Sequence, residues 1–337
     1  MPVARAEVAR LAGVSPAVVS YVVNGGPRPV APVTRDRVQA AIDKLGYRPN
    51  TAARALRGQR TRSMGLLVPD DGNPFFTELS RAIEDVAFER GHVLLVGNAL
   101  GDVGREATYL RTFVDRQVDG VIVVSVQSRP ELAIVTAAGI PVVVLDRVAA
   151  STGVSTVVAD HAGGAGLGVD HLIAHGHRRV GCVAGPPSVA SAAQRVDGWA
   201  ASLRAAGLPT ARSLVAAGPF SLAGGHEATR LLLSRRPRPT ALFVSTDVQA
   251  LGALRACRDL GLDVPGDVAL VCFDGTAFAR YSVPSLTVVQ QPLEIVARLA
   301  VGRLLGSDDS AATPGDDVVQ VDLVRRESCG CPPDRRT

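Results

Sequence analysis

The sequence lacks any long apolar stretch. No run of eighteen consecutive apolar residues occurs in the 337 residues, which argues against a membrane-spanning helix. The N-terminus also lacks the apolar core of a secretory signal behind a basic stretch. We therefore expect a soluble, cytosolic protein. The hydrophobic content of 47% is still high enough for a large core, and the length predicts two or three domains.

Cysteine is scarce as well. The five cysteines are odd in number and widely scattered, which argues against a disulfide framework. Cys329-Gly330-Cys331 is a candidate for metal binding or redox sensing, but no second cysteine pair completes a zinc site. We interpret this segment as part of a disordered tail, residues 328–337, and we predict no metal and no cofactor.

Catalytic motifs are missing too. The sequence contains no G-x-S-x-G, no H-E-x-x-H and no Walker loop. The glycine-rich run at 163–168 lacks the G-x-G-x-x-G spacing of a dinucleotide loop and begins inside a helical pattern. His171 and His175 are spaced i, i+4 and His177 follows, an arrangement compatible with a metal site. Nothing here argues for catalysis, and we predict that the protein is not an enzyme.

The first 46 residues, by contrast, carry the pattern of three short helices with a tight corner after the first. Gly13 supplies a turn, Ser15 is a good N-cap for the second helix, and Asn24 precedes two glycines that stop it. Thr34 is predicted to cap a third helix, which ends before Gly46. The apolar positions predicted to face inward are Val8, Leu11, Ala12, Val18, Val19, Val22, Val23, Val38, Ala41, Ile42 and Leu45. A helix-turn-helix of this kind is typical of a DNA-reading unit, whose second helix enters the major groove.

The distribution of charge supports that interpretation. Residues 1–62 contain eleven basic and three acidic side chains, a net charge of +8, whereas the whole chain carries only +4. The rest of the chain is therefore mildly acidic. A basic head on an acidic body is expected of a phosphate-binding module attached to a domain that does not bind nucleic acid.

Residues 50–58 form a short helical pattern between head and body. At about two turns, such a helix is marginal in water because nucleation is costly. We expect it to become ordered when it meets DNA and a second copy of the chain. The alternative is that Leu56 simply packs on the body.

From Met64 onward, short apolar runs alternate with helical patterns. The predicted strands are Met64–Val68, Val93–Gly97, Val121–Ser125, Pro141–Leu145, Val157–Ala159, Val180–Ala184, Leu214–Ala216, Ala241–Ser245 and Val268–Phe273. This alternation predicts an α/β body of two doubly wound parallel-sheet subdomains. Helix Pro292–Leu305 is expected to return to the first subdomain, and Val318–Val324 to end as a strand in the second.

A long ordered string of residues in the head matches a known family pattern. The matching segments are Glu7-Val8-Ala9, Ala12-Gly13-Val14-Ser15, Val19-Ser20, Val22-Val23-Asn24-Gly25, Thr34-Arg35, Arg37-Val38, Leu45-Gly46-Tyr47-Arg48-Pro49-Asn50 and Ala55-Leu56-Arg57. On these residues the head resembles the lactose-repressor-type (LacI) family of bacterial transcription regulators. Within this family the segment His171 to Arg179 connects a helix to a strand, which makes metal binding there unexpected.

The resemblance implies specific roles in DNA binding. Tyr21 stands where the family usually has arginine, and Val18 where it has threonine. Losing the bidentate arginine removes the strongest reader of guanine, so the operator should differ from the common one. Base reading is implied for Pro16, Ala17, Ser20 and Tyr21; phosphate contacts for Ser15, Asn24, Thr34 and Arg35; and a minor-groove hinge for Ala53, Arg54, Leu56 and Arg57, with Leu56 as the wedge.

The resemblance also implies a periplasmic-binding-protein-like body with an effector in the cleft between its lobes. The candidate effector-binding residues are Asp70, Asn73, Phe75, Phe76, Ser125, Asp146, Arg195, Phe220, Thr246, Asp274 and Gln291. Acids and an arginine suit the vicinal hydroxyls of a sugar, and aromatic rings suit its apolar face; the same set also suits a nucleoside. Each acid is alternatively a helix N-cap, and for Asp247 we favour the cap.

These observations predict a transcriptional regulator, most simply a repressor, that acts as a homodimer on a near-palindromic operator and responds to a carbohydrate. The expected domains are a head at 1–49, a hinge and linker at 50–62 and an effector-binding and dimerisation domain at 63–327. Its first subdomain covers about 63–160 and 290–316, and its second about 161–289 and 317–327. A solute-binding transport protein would share the body's fold but would need a secretory signal and no basic head. A nucleotide-dependent enzyme would need a phosphate loop.

Overall fold

The computed structural model describes residues 3–24, 29–47, 60–125, 131–145, 154–306 and 315–331. The chain divides into two compact units, Met1–Thr61 and Arg62–Thr337, which are described separately as the head and the body. Within the described ranges, no single helix is long and apolar enough to cross a membrane; one bent helix pair, Arg5–Ala12 with Pro16–Val23, passes by length and composition alone.

The head, as far as it is described, consists of three helices: α1 (Arg5–Ala12), α2 (Pro16–Asn24) and α3 (Pro32–Leu45). The axes of α1 and α2 differ by 101° across a short turn. Gly13 has φ of +65° there, a conformation that glycine adopts without steric cost. Val8, Val19 and Val38, one from each helix, are completely buried at the centre. This angle and turn are those of a helix-turn-helix, as predicted.

Two details of the head differ from the prediction. Leu11 is 47% exposed, because the inward face of α1 is formed by Val8, Ala9 and Ala12 instead. Thr34 is not the N-cap of α3, which begins at Pro32 with Ala31 in the capping position. A proline suits the first helical position because its missing N–H has no intrahelical partner to lose.

The described part of the body forms two sheets of six strands each. The first sheet, in the order β11-β5-β4-β3-β1-β2, is parallel throughout and is formed by β1 (Ser63–Val68), β2 (Val93–Asn98), β3 (Val121–Val123), β4 (Val142–Leu145), β5 (Ser155–Ala159) and β11 (Asp316–Val319). Its helices are α4 (Pro74–Glu89), α5 (Val103–Asp115), α6 (Ala133–Ala137) and α12 (Leu293–Leu305). Helices α4 and α12 pack on one face of the sheet, and α5 and α6 on the other.

The second sheet has the order β12-β10-β9-β8-β6-β7. Its strands are β6 (Val180–Ala184), β7 (Val215–Ala217), β8 (Ala241–Val244), β9 (Ala269–Asp274), β10 (Thr287–Gln290) and β12 (Asp322–Val324), the last antiparallel to β10. Its helices are α7 (His161–Ala174), α8 (Ala190–Ala205), α9 (Leu222–Ser234), α10 (Asp247–Asp259) and α11 (Ala277–Tyr281), with short 3-10 turns at Arg212–Leu214 and Glu327–Cys329. Helices α7 and α8 pack on one face of this sheet, and α9 and α10 on the other.

The chain passes between the two subdomains three times, after β5, after β10 and between β11 and β12. Helix α12 returns to the first subdomain, as predicted. The prediction of one strand over Val318–Val324 in the second subdomain is wrong: Val318 and Val319 pair with β5 of the first sheet. Val319 is buried in the core of the first subdomain and Val321 in that of the second, so the chain must change sheets between them.

The predicted tail, residues 328–337, begins too early in the sequence. Ser328 is completely buried and Cys329 is only 2% exposed. The Ser328 hydroxyl donates to the carbonyl of Leu270 in β9 at 2.7 Å and accepts from the backbone N–H of Thr287 at 2.9 Å. These hydrogen bonds make the segment through Cys329 part of the second subdomain.

Helix α8 lies unusually close to α7. A Cβ atom at Gly198 would overlap the carbonyl oxygen of Ala162, so only glycine allows this approach. The neighbouring Trp199 is 1% exposed and its Nε1–H donates to the carbonyl of Val180 at 3.3 Å. Together these contacts fix α8, and with it the position of Arg195 one turn earlier.

Candidate functional site

A cavity lies between the two subdomains. It is bordered by the carboxyl ends of parallel strands from both sheets. The first subdomain contributes Asn73, Phe75, Phe76, Leu79, Val124, Ser125 and Leu145, and the second His161, Val189, Ser191, Arg195, Phe220, Thr246 and Asp274. The strand end Val157–Ala159 and the residues Gln291, Leu293 and Val296 complete the lining. Ligands of doubly wound sheets bind in such a crevice.

Arg195 is the cation of this cavity and is 4% exposed. Its Nη2 lies 3.3 Å from Oδ1 of Asp274, and its Nη1 donates to the carbonyl of Ser245. The guanidinium carbon lies 3.9 Å from the centre of the Phe273 ring, at the distance of a cation–π contact. The arginine is therefore held in one orientation by a carboxylate, a carbonyl and an aromatic face.

Asp274 ends β9 and faces the same cavity. Its φ is +110°, a region that residues other than glycine rarely adopt, and such strain is concentrated at functional sites. Gln291 Nε2 donates to Asp274 Oδ1 at 2.9 Å, and the Gln291 backbone N–H donates to the Asp274 carbonyl at 2.9 Å. Burial raises the pKa of Asp274 to about 7, against the opposing effect of Arg195 and with a further increase from the nearby Asp247.

Asp247 supports the turn that carries Asp274. Its Oδ2 accepts hydrogen bonds from the backbone N–H groups of Gly275 at 3.0 Å and Thr276 at 2.6 Å, and from the Thr276 hydroxyl at 2.8 Å. Burial raises the pKa of Asp247, although these hydrogen bonds act in the opposite direction. The N-cap of α10 is Thr246, whose hydroxyl accepts from the Gln249 N–H at 3.2 Å. Our interpretation of Asp247 as the cap is therefore wrong.

Gln249 organises the loop that carries Phe220. Its side chain is completely buried, and Nε2 donates to the carbonyls of Ala184 and Pro219, each at 3.1 Å. The amide thus ties the end of β6 to the segment immediately before Phe220. This segment places the half-buried Phe220 ring in the cavity lining.

The opposite wall is formed by the beginning of α4. The rings of Phe75 and Phe76 meet edge to face with centroids 5.2 Å apart. Asn73 is the N-cap of α4, since its side chain accepts from the Phe75 N–H at 3.1 Å. The cap aims the first turn of α4 at the cavity.

The head presents a different kind of surface. Ser15, Pro16 and Ala17, at the start of α2, are exposed, and Ser20 and Tyr21 are half-buried on the same helix. The Ser15 hydroxyl accepts from the Val18 N–H at 3.4 Å. The start of α2 is therefore open, as the insertion of a recognition helix into a DNA groove requires.

Comparison with known proteins agrees with both units. Residues 6–50 match the family described as bacterial regulatory proteins, lacI family, and residues 169–329 match a periplasmic binding protein-like domain. The chain is 35% identical to catabolite control protein A of Priestia megaterium over 94% of its length and 95% of that protein. The chain belongs to the lacI family of bacterial regulatory proteins.

Other lacI-family proteins support the same placement. The chain is 36% identical to the transcriptional repressor PurR of Escherichia coli O1:K1, over 89% of this chain and 88% of that protein. A solved lac repressor dimer, bound to operator and the anti-inducer ONPF, matches with a TM-score of 0.87 and 30% identity, covering 98% and 99% of the two chains. These matches confirm the predicted fold class and the prediction of a DNA-binding regulator rather than an enzyme.

Most of the predicted effector residues of this lacI-family chain come together in the cavity. Nine of them line it: Asn73, Phe75, Phe76, Ser125, Arg195, Phe220, Thr246, Asp274 and Gln291. Asp70 does not; it is exposed, and its Oδ1 accepts from the Gly72 N–H at 2.9 Å. Asp146 lies outside the described residues, as do the hinge residues Ala53, Arg54, Leu56 and Arg57.

Sequence reasoning missed several positions in and around the cavity. His161 and Ser191 line the cavity beside Arg195, and the imidazole Nδ1 of His161 lies 3.4 Å from Arg195 Nη2. His161 closely follows the predicted strand Val157–Ala159, which is the signal that identified other candidates; Ser191 lies further from the end of its predicted strand, Val180–Ala184, and carries no such signal. Asp247 and Gln249 act through other residues, and their partners are known only once the fold is known.

Proposed function

We propose that this protein is a homodimeric, cytoplasmic repressor whose affinity for a near-palindromic operator is controlled by a carbohydrate in the cleft. The observation that carries the ligand class is the buried cluster of Arg195, Asp274 and Gln291 facing the aromatic rings of Phe76 and Phe220. A sugar offers both vicinal hydroxyls for the cluster and an apolar ring face for the aromatics.

Family members with known ligands support a carbohydrate. The transcriptional regulator CelR, solved as a complex with cellobiose, matches with a TM-score of 0.72 and 32% identity over 97% of this chain and 99% of that chain. A nucleoside would use the same donors and acceptors, and it is therefore included in the test below.

In the head, we assign base reading to Pro16, Ala17, Ser20 and Tyr21, and phosphate contacts to Ser15, Asn24, Thr34 and Arg35. The exposed start of α2 supports this assignment, as does the basic charge of residues 1–62. We further assign Ala53, Arg54, Leu56 and Arg57 to a hinge that binds the minor groove, with Leu56 as the wedge. In this scheme the effector changes how the two lobes close, and the dimer interface passes that change to the hinge.

The test is a selection from random duplex DNA with the purified protein, repeated with a panel of sugars and nucleosides in the binding step. We expect a palindromic, salt-sensitive consensus whose enrichment changes with one sugar. A consensus that responds only to a nucleoside would overturn the ligand class. An absence of enrichment under every condition would overturn the operator-binding function itself.

A Leu56→Ala variant tests the hinge assignment separately. We expect weaker binding to the selected operator while the head remains folded, since the wedge is lost but the recognition helix is intact. Unchanged operator affinity would contradict the assignment.

A further inference from the structure

Two motifs that are far apart in the sequence meet in the second subdomain. His171 and His175 lie one turn apart at the C-terminal end of α7, and Cys331 follows the Glu327–Cys329 turn. One ligand atom from each of these three residues lies within 4.8 Å of the other two. Cys331 Sγ is 3.2 Å from His175 Nε2 and 3.8 Å from His171 Nε2. The three donors therefore converge on one point.

The spacing of these atoms fits a tetrahedral metal ion. Bond lengths of about 2.0 Å for Zn–N and 2.3 Å for Zn–S place a thiolate sulfur about 3.5 Å from an imidazole nitrogen across a tetrahedral edge. The two observed distances between sulfur and nitrogen lie on either side of that value. The Cys331 sulfur and each imidazole nitrogen are therefore close to the separation that a shared zinc ion requires.

Cys329 lies next to His171 but is not one of the three residues whose donor atoms all lie within 4.8 Å of one another, so its sulfur must move to become a fourth ligand. Cys329 Sγ is 3.2 Å from His171 Nε2, and the Thr287 hydroxyl donates to that sulfur at 3.0 Å. Two thiols and two imidazoles form a donor set that prefers zinc to oxygen-seeking ions such as magnesium or calcium.

The surroundings favour a cation at this position. The last carbonyls of a helix carry partial negative charge, and both histidines lie in or just after the last turn of α7. The other three cysteines are in the interior of β6, α10 and β9, each at most 1% exposed. Cys331, by contrast, is partly exposed and His175 is exposed, so an ion from solution can reach the site.

We propose that His171, His175, Cys329 and Cys331 bind one Zn²⁺ ion, which fastens the C-terminal segment to α7. On binding, the two thiols release their protons to solvent, and neither sulfur nor metal changes oxidation state. Because the adjoining Ser328 is hydrogen-bonded to β9 and β10, the ion would link α7 to these two strands of the second sheet. This site is separate from the cleft, and its test does not depend on DNA or effector binding.

The test is a titration of the metal-free, full-length protein with Zn²⁺ in reducing buffer, in competition with a chromophoric chelator. We expect one tightly bound equivalent. Cys331→Ser and His175→Gln should each weaken zinc binding by roughly 100-fold or more, since loss of even an outer partner of a metal ligand costs about 10–100-fold. His177→Gln is the matched control, because this neighbouring histidine bonds to Thr240 at 3.0 Å and should leave zinc affinity unchanged.

Cobalt substitution provides a readout that does not rely on variants. The wild-type protein loaded with Co²⁺ should show the intense visible bands of a tetrahedral ion and a thiolate-to-cobalt charge-transfer band. The proposal is overturned if less than one equivalent of zinc binds, if both variants retain wild-type affinity, or if the cobalt spectrum is octahedral without thiolate absorption.

Discussion

The two walls of the cleft differ in how they are built. The wall from the second subdomain is a connected polar network in which Arg195 and Asp274 are held by several partners each. The wall from the first subdomain is mainly apolar, with Phe75, Phe76 and Leu79 at the start of α4. A network of this kind orients a ligand, whereas an apolar surface chiefly excludes water around it.

This contrast implies that the second subdomain contributes more to specificity, and the first more to closure. A hydrogen bond joins the two walls at the edge of the cleft: Glu78 Oε1 on α4 accepts from the backbone N–H of Ala277 at 2.9 Å. We therefore expect effector binding to be weakened most by substitutions in the polar wall, less by substitutions in the apolar wall and least by loss of this hydrogen bond.

The largest effect is expected from Arg195→Ala. In the proposed site the Arg195 guanidinium donates to the effector, and a hydrogen bond from a charged group contributes about 1.5–3 kcal/mol, so effector affinity should fall by roughly 100-fold. Operator binding should persist but no longer respond to the effector. Calorimetry with the compound identified by DNA selection, together with operator binding in its presence, would measure both. Arg204→Ala, an exposed arginine on the same helix, is the control; a retained response in Arg195→Ala would remove this residue from the site.

Asp274→Asn should change the dependence of stability on pH. The pKa of Asp274 is about 7 in the folded protein and 3.8 ordinarily, so between these values the folded state binds more protons than the unfolded state. Stability contributed by this group is therefore fully present below about pH 4 and declines as pH rises to about 7. The slope for one proton is at most about 1.4 kcal/mol per pH unit.

Denaturant unfolding at several pH values between about 4 and 7 measures this slope. We expect the free energy of unfolding of the asparagine variant to fall less steeply with pH than that of the wild type. Asp170→Asn, which alters an exposed acid on α7, should leave the slope unchanged. Parallel curves for wild type and Asp274→Asn would show that Asp274 is ionised throughout this range.

Phe76→Ala tests the apolar wall. Losing the whole aromatic ring from a half-buried position should weaken effector binding by about tenfold, since fully burying such a side chain is worth about 1.5–3 kcal/mol. Phe88 lies on the same helix and is 75% exposed, so Phe88→Ala should have no effect. Titration of both variants with the effector measures their affinities. If Phe76→Ala loses as much effector affinity as Arg195→Ala, the two walls contribute equally to binding.

The smallest effect is expected from Glu78→Ala. It removes the acceptor for the Ala277 N–H and should weaken effector binding by about fivefold, which corresponds to one hydrogen bond of about 1 kcal/mol. Glu78→Gln keeps an acceptor oxygen and should behave like the wild type. Glu84→Ala, an exposed glutamate on the same helix, serves as the control. Equal affinities for Glu78→Ala and wild type would show that this bond does not stabilise the ligand-bound form.

The parts of the fold that follow from sequence are those governed by local rules. Alternating apolar runs and helical patterns predicted most strands of both sheets, because buried parallel strands are continuous and apolar. The same rules failed at Val318–Val324, because this apolar run contributes one strand to the first sheet and another to the second. Local pattern cannot show that Val319 and Val321 are buried in different cores.

The candidate site also combines residues that local sequence rules predict with residues that they do not. Residues immediately after strand ends, such as Ser125 and Asp274, were predictable because the carboxyl ends of parallel strands meet at one edge. The roles of Asp247 and Gln249 were not, since each depends on backbone groups more than twenty residues away in the sequence. His171 and Cys331 likewise become neighbours only through the pairing of β10 with β12 and the turn that follows.

The three chain crossings between the subdomains have a mechanical consequence. They leave from one edge of each sheet, where β5 and β11 are neighbours in the first and β10 and β12 in the second. Connections that lie side by side allow the two subdomains to rotate about the line that joins the connections. They restrict sliding of one subdomain past the other and twisting between them. The far rim of the cleft therefore travels furthest for a given rotation. Apart from Ala159 at the end of β5, which packs in the second core, each hydrophobic core is formed by residues of its own subdomain, so such a movement leaves most of both cores unchanged.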